Sequence, residues 1–235
     1  MKIAICLSGM ARNFENTYPR FKKFVIDEHR PDIFFSGYPN ANGVDYCQAK
    51  INELYSPKKL IIQEYTDDLR KKICNNEEKY KTRSETKINN FLSQIYNIKK
   101  CDLLRQEYEQ ENNFKYDVVI RSRIDVFYFK KFEEKELQMA KFGYVLIPTE
   151  WDFKTVDTRA VSDSFAMTNS KNMTKYSNLY NNFDEYYNSG IQPHPETIFG
   201  VHIMREGLTR IEIPGHGWYK FENLETGNDN DRHEH

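Results

Sequence analysis

The sequence predicts an α/β protein in one domain, with a mostly parallel central sheet flanked by helices. Three observations carry this. Two short apolar runs near the N-terminus close on Ser8-Gly9 and Ser36-Gly37, with apolar residues at helical spacing between them. A long amphipathic stretch from Ile88 gives way to a run up to Tyr128 that is dense in Val, Ile and aromatic residues. Strands and helices then keep alternating, the arrangement that builds a parallel sheet.

Taken in order, Lys2 to Leu7 reads as a first, buried strand. Phe21, Phe24 and Val25 mark a helix that ends before Arg30-Pro31, and Asp32-Ile33-Phe34-Phe35 forms the second strand. Lys59 to Tyr65 is a third strand. Asp67 to Thr86 is charged without a sustained apolar period and reads as a surface helix or loop. Ile88, Phe91, Leu92 and Ile95 stand at i, i+3, i+4 and i+7, so a long helix runs to Glu111, stopped by Asn112-Asn113. Tyr116 to Tyr128 is the next strand, followed by a short one at Gly143 to Pro148 and a loop over a site at Trp151 to Arg159. A strand at Ser164 to Met167, helices at Met173 to Phe183 and Pro195 to Arg205, and a last strand at Thr209 to Ile213 complete a domain of residues 1–222. Residues 223–235 are polar and Asn/Asp-rich, the composition of a disordered tail.

Charge and cysteine usage narrow the function classes. Lys and Arg total 34 against 35 Asp and Glu, so no long-range attraction to nucleic acid or an anionic membrane is expected. No apolar run approaches the roughly 20 residues that span a bilayer, and a cytoplasmic location is the expectation. Cys6, Cys47, Cys74 and Cys101 lie far apart with no C-x-x-C pair, which points to reduced thiols rather than a zinc site or a disulfide scaffold.

The chemistry concentrates on the strand from Tyr116 to Tyr128. Side chains alternate across a strand, so Arg121, Arg123 and Asp125 share one face and Val118, Ile120, Ser122, Ile124 and Val126 the other. Charges in so apolar a strand need a partner or a polar cleft. One reading is a structural ion pair of Asp125 with a neighbouring arginine. The other is a diphosphate site, because two arginines leave positive charge over, guanidinium forks suit phosphate oxygens, and Asp125 suits a divalent cation bridging them. Ser8, Gly9 and Arg12, at the carboxyl end of the first strand, fit the same ligand. The segment is neither G-x-G-x-x-G nor a P-loop. Gln94 on the long helix is a candidate polar contact to sugar or base. Asp163 and Glu196 are candidates to orient an acceptor or take its proton, although an Asp before a strand is also a common turn residue and a Glu in a helix's first turn is favoured by the dipole. His202 and His216 are isolated histidines, a setting in which packing is commoner than metal ligation.

The ordered set Lys2-Ile3-Ala4-Ile5-Cys6-Leu7-Ser8-Gly9-x-x-Arg12, Tyr55-Ser56-Pro57-Lys58-Lys59, Ser93-Gln94-x-Tyr96, Tyr116 to Asp125, Asp163-x-Phe165-Ala166 and His194-Pro195-Glu196 resembles a group of glycosyltransferases of large DNA viruses and bacterial surface-polysaccharide loci. The similarity runs from the first strand to about Gly207. It implies a GT-A-like, Rossmann-like fold and a nucleotide-sugar donor, with a host-cytoplasmic location for a viral member. In GT-A enzymes a D-x-D motif at the end of a central strand binds Mn²⁺ or Mg²⁺ and the donor diphosphate. The corresponding place here is Arg123-Ile124-Asp125, so only the second carboxylate is present and arginine can take over part of the cation's charge-neutralising work.

The resulting expectation is transfer of a sugar from a UDP- or GDP-sugar to a hydroxyl of a glycan acceptor. Ser8, Gly9, Arg12, Gln94, Arg121, Arg123 and Asp125 would face the donor, Asp125 also a Mn²⁺ or Mg²⁺ ion, and Asp163 and Glu196 the acceptor. An inactive nucleotide- or glycan-binding module with the same fold is the alternative. A phosphoryl- or nucleotidyl-transferring enzyme is a third possibility, which predicts activity with nucleoside triphosphates.

Overall fold

The computed structural model of the chain describes residues 1–74, 80, 85–149, 159–214 and 219–220. Strand β1 (Ile3–Met10) leads into α1 (Phe14–Phe21), which continues through a π-helical turn (Lys22–Ile26) into the short α2 (Asp27–His29). Then come β2 (Asp32–Tyr38), α3 (Gly43–Tyr55), β3 (Lys59–Ile62), α4 (Asp67–Ile73), the long α5 (Glu85–Glu111), β4 (Val118–Arg123), β5 (Phe127–Tyr128), α6 (Glu134–Lys141) and β6 (Val145–Thr149). Strand β7 (Phe165–Thr168), α7 (Ser170–Ser177), α8 (Leu179–Asn188), α9 (Pro195–Arg205), β8 (Arg210–Pro214) and β9 (Tyr219–Lys220) follow. The expected loop at Trp151 to Arg159, apart from Arg159 itself, His216 and the expected tail at 223–235 lie outside the described residues.

The main sheet has the order β3-β2-β1-β4-β7-β6-β8. β1 pairs in parallel with β2 and β4, and β2 with β3; β7 alone is reversed, antiparallel to both β4 and β6, while β8 runs parallel to β6. The expectation of a mostly parallel sheet flanked by helices holds. One face carries α5, whose buried stripe extends from Ile88, Phe91, Leu92 and Ile95 to Ile98, Cys101 and Leu104, together with α7, α8 and α9. On the other face Phe14, Phe21, Cys47, Ile51, Leu137 and Ala140 from α1, α3 and α6 pack against Val118 and Ile120. Apolar burial on both faces is what such β-branched strands require.

Several boundaries differ from expectation for identifiable reasons. The run from Tyr116 to Tyr128 is not one strand. The ladder ends at Arg123: Ser8 is the last residue of β1 to pair with β4, opposite Arg123, although β1 itself runs on to Met10 beside β2, and β7 begins at Phe165, opposite Ser122. Ile124-Asp125 then turns, with Thr17 Oγ1 donating to the Ile124 carbonyl at 3.0 Å, and Phe127-Tyr128 pairs with β9 in a separate two-stranded sheet. Asp125 thus reaches the site from a turn, and strand alternation does not place it. Ser8-Gly9 and Ser36-Gly37 lie within the ends of β1 and β2 rather than closing them. The segment from Met173 to Phe183 is two helices, parted at Asn178.

Candidate functional site

β1, β2, β3 and β4 run in the same direction, and a cleft of about 1150 Å³ opens at their carboxyl ends. Its floor is Ser8-Gly9-Met10, with Arg12 beyond and Arg123 and Asp125 beside it. One wall is Ser93, Gln94 and Asn97 of α5, joined by Tyr38 and Tyr65. The opposite wall is Arg159 and the segment Gly190 to Thr197, which enters α9. The floor depends on a close crossing of β1 and β2: Gly9 pairs with Gly37, and a Cβ on Gly37 would collide with the Gly9 carbonyl oxygen. Gly9 itself has φ of 116°, open to glycine and costly for other residues.

The charged centre is a three-residue cluster. Arg123 holds Asp125 in a fork, Nε to Oδ1 at 2.9 Å and a terminal nitrogen to Oδ2 at 2.8 Å, while Arg12 Nε donates to Oδ2 at 2.7 Å. Burial works to raise the Asp125 carboxyl, but the bonds and charges of Arg123 and then Arg12 outweigh it and hold the group below the usual carboxylate range. Two guanidiniums share the one Asp125 carboxylate, with Arg12 well exposed to solvent. Next to it the buried Ser8 Oγ has no hydrogen-bond partner among the described residues. A buried hydroxyl in that state is a demand for a ligand or water atom.

At the other end stand Glu196 and His194. Glu196 Oε2 lies 3.1 Å from His194 Nδ1. The Glu196 carboxyl is raised, first by burial and then by the negative charge of Asp163, with its own backbone N–H and His194 pulling the other way. Asp163 stands behind the wall: Gln94 Nε2 donates to its Oδ2 at 2.8 Å, and the Arg121 guanidinium donates to its carbonyl oxygen.

Ser8, Gly9, Arg12, Gln94, Arg123, Asp125 and Glu196 are therefore gathered on one cleft. Arg121 and Asp163 do not line it. Arg121 is fully buried in the layer under α5 and serves to hold the Asp163 backbone. His202 is buried too, its ring bonded to the Tyr186 hydroxyl and to the carbonyls of Lys175 and Tyr176, so it packs α9 on its neighbours. Tyr38, Tyr65 and Asn97 also line the cleft, as do His194 and Arg159, which the sequence marks only as part of the His194-Pro195-Glu196 motif and of the loop over a site. The sequence holds a signal for the first three: Tyr38 and Tyr65 end or follow strands whose carboxyl ends face the cleft, and Asn97 lies one helical turn beyond Ser93 and Gln94.

A cation at this centre would rest on Asp125. Both Asp125 oxygens already accept from guanidiniums, and among the described residues no three of His, Cys, Asp and Glu stand together as a ready donor set. A hard cation can be held by one carboxylate together with substrate phosphates. At Asp125 this fit requires the diphosphate to arrive with the ion and one arginine to move its bonds to phosphate.

Among the described residues no helix is long and apolar enough to cross a membrane. A search of curated proteins finds no match to the chain. A family model does match, over residues 1–182, which contain Ser8, Arg12, Gln94, Arg123, Asp125 and Asp163 but stop short of His194 and Glu196. With most of its length matched, the chain belongs to the family described as a domain of unknown function, DUF7796.

Proposed function

We propose that the protein is a nucleotide-sugar-dependent glycosyltransferase of GT-A type, moving a sugar from a UDP- or GDP-sugar to a hydroxyl of a glycan acceptor. The observation that carries this reading is the pairing of Arg12 and Arg123 through Asp125 at the carboxyl ends of β1 and β4, beside the unpartnered Ser8 Oγ. Such a centre suits a diphosphate, whose oxygens accept from guanidinium forks and a serine hydroxyl. In glycosyl transfer the leaving diphosphate gains charge, and preorganised arginines stabilise that charge without moving. The cleft, at about 1150 Å³, has room for a nucleotide and a sugar together. Its lining offers the carboxylate of Glu196, the chemistry that an acceptor hydroxyl needs to lose its proton. Four buried cysteines that form no disulfide with one another accord with a reducing, cytoplasmic setting.

A specific observation favours a second reading. Asp125 is saturated by two arginines and the first D-x-D carboxylate is replaced by Arg123, as in a binding module that has kept the fold without turnover. One experiment separates them. A panel of nucleotide sugars is screened by thermal shift with and without Mn²⁺, and release of nucleoside diphosphate is then measured for each binder. A ligand at 100 times its dissociation constant adds about 2.7 kcal/mol of stability, a readable shift. The transferase reading expects one donor to raise the melting temperature and to be turned over, with turnover lost in Asp125→Asn. Binding without turnover supports the module, and no shift with any donor removes the transferase reading.

A further inference from the structure

The chain around His194 is built to hold one side chain in one place. A residue before proline is confined to extended backbone, and His194, between Pro193 and Pro195, has φ −86° and ψ 125°. Its N–H donates to the Gln192 carbonyl at 2.8 Å and its carbonyl accepts from Ile198 at 2.9 Å. The helix it opens is anchored as well. Gly200 of α9 lies so close to the Arg159 carbonyl that a Cβ would collide with it, and Val161 N donates to the Glu196 carbonyl at 3.1 Å. On this fixed frame His194 Nδ1 stands 3.1 Å from Glu196 Oε2, and both side chains line the cleft.

We propose that His194 is a positioning residue: its Nδ1–H engages Glu196 Oε2 and fixes the carboxylate so that Oε1 takes the proton of the acceptor hydroxyl. This rests on the glycosyl-transfer reading above and names the base within it. In the step, the acceptor O–H bond breaks and its proton passes to Glu196 Oε1. The oxygen's electron pair forms the bond to the anomeric carbon. The bond from that carbon to the diphosphate breaks, and its electrons stay on the diphosphate oxygen facing Arg12 and Arg123. His194 Nδ1–H donates to Glu196 Oε2 in this step and acts through geometry. Among the described residues, the charged group from a neighbouring segment that acts on Glu196 is Asp163, before β7, while Arg159 lines the same cleft. Burial and Asp163 favour the protonated carboxyl, which is an ineffective base, and His194 opposes them. Loss of His194 therefore widens the pH range over which the base is blocked.

Four proteins test this: wild type, Glu196→Gln, His194→Ala and His194→Asn, whose amide N–H can stand where Nδ1–H stood. Glu196→Gln is expected to lose transfer by roughly 10² to 10⁴-fold with donor affinity unchanged. His194→Ala is expected to lower kcat on the order of 10²-fold, the effect of a misplaced catalytic group, to leave donor KM unchanged, and to move the acid limb of the pH–rate profile upward. His194→Asn is expected to recover most of kcat. An unaltered kcat and pH profile in His194→Ala, or an Asn variant no better than the Ala variant, overturns the proposal. If wild type turns over no nucleotide sugar, the transferase reading fails by itself. The pairing is then read by ¹³C NMR of the Glu196 carboxyl, where His194→Ala must raise the titration midpoint; an unmoved midpoint overturns the pairing as well.

Discussion

At the scale of residues, the donor end of the cleft turns on how Asp125 shares its two oxygens. Arg123 occupies both, through Nε and a terminal nitrogen, and Arg12 adds a third bond to Oδ2. The carboxylate thus sets the planes of two guanidiniums, and their remaining N–H groups are what a diphosphate would meet. Lysine at position 123 would keep the charge and lose the fork, since an ammonium is a point charge on a flexible stem. Hydrogen bonds to charged groups are worth about 1.5–3 kcal/mol each. Arg123→Lys is therefore expected to weaken binding of the nucleoside diphosphate found in the donor screen by roughly tenfold to a hundredfold, measured by isothermal titration calorimetry. An affinity equal to wild type would show that charge alone is recognised at this position, and the fork would lose its assigned role.

At the scale of elements, the crossing of β1 and β2 decides where the floor of the cleft sits. Gly37 has ordinary strand geometry, so its need for glycine comes from the Gly9 carbonyl and not from φ. Gly37→Ala must push the strands apart, and overpacking of this kind costs typically 1–3 kcal/mol. Chemical denaturation should show a loss in that range together with weaker donor binding, because Gly9 and Ser8 move with the strand. A variant as stable as wild type would mean that the strands yield freely there. The same elements show what sequence can and cannot reveal. The first strands, α5 and the gathering of Arg12, Arg123 and Gln94 were legible because strong periodicity and strand-end chemistry sit within single segments. Helix α3 was not anticipated, although Cys47, Ile51 and Tyr55 form a buried i, i+4, i+8 stripe. Three apolar positions among polar ones make a weak signal. Helix α6 is similar: Glu133 N–H donates to Glu136 Oε2 at 2.7 Å, a cap made by glutamates rather than by the Ser, Thr, Asp or Asn that usually mark a helix start. The break after Arg123 was illegible for a different reason. It shows only in the pairing, where β4 parts from β1 after Ser8 and β7 begins at Phe165, and no property of Tyr116 to Tyr128 contains that. Arg121 was misplaced by the same limit, since alternation gives a face and not a depth.

At the scale of the whole molecule, the two ends of the cleft tie folding stability to pH with opposite signs. The folded Asp125 carboxyl lies below its usual range because Arg123 and Arg12 overcome burial. Its contribution to stability is fully present above the unfolded aspartate value, near ~3.9, and is lost as pH falls through the folded value. The Glu196 carboxyl is raised, by burial first and Asp163 second. Its ionised form is disfavoured by folding, so stability present below the unfolded glutamate value, near ~4.3, is lost as pH rises through the folded value. Neutral amides remove each titration. Asp125→Asn should therefore be less stable than wild type at pH 7, with a deficit that shrinks as pH approaches 3. Glu196→Gln should improve relative to wild type over the same rise from pH 3 to 7, the pattern of a functional carboxylate held in a setting that does not favour its charge. Urea unfolding at pH 3, 4, 5, 6 and 7 for the three proteins reads both slopes. Parallel curves would mean that neither carboxyl is shifted by folding, and slopes of the same sign would refute the opposition between a charge-paired donor end and a charge-strained acceptor end.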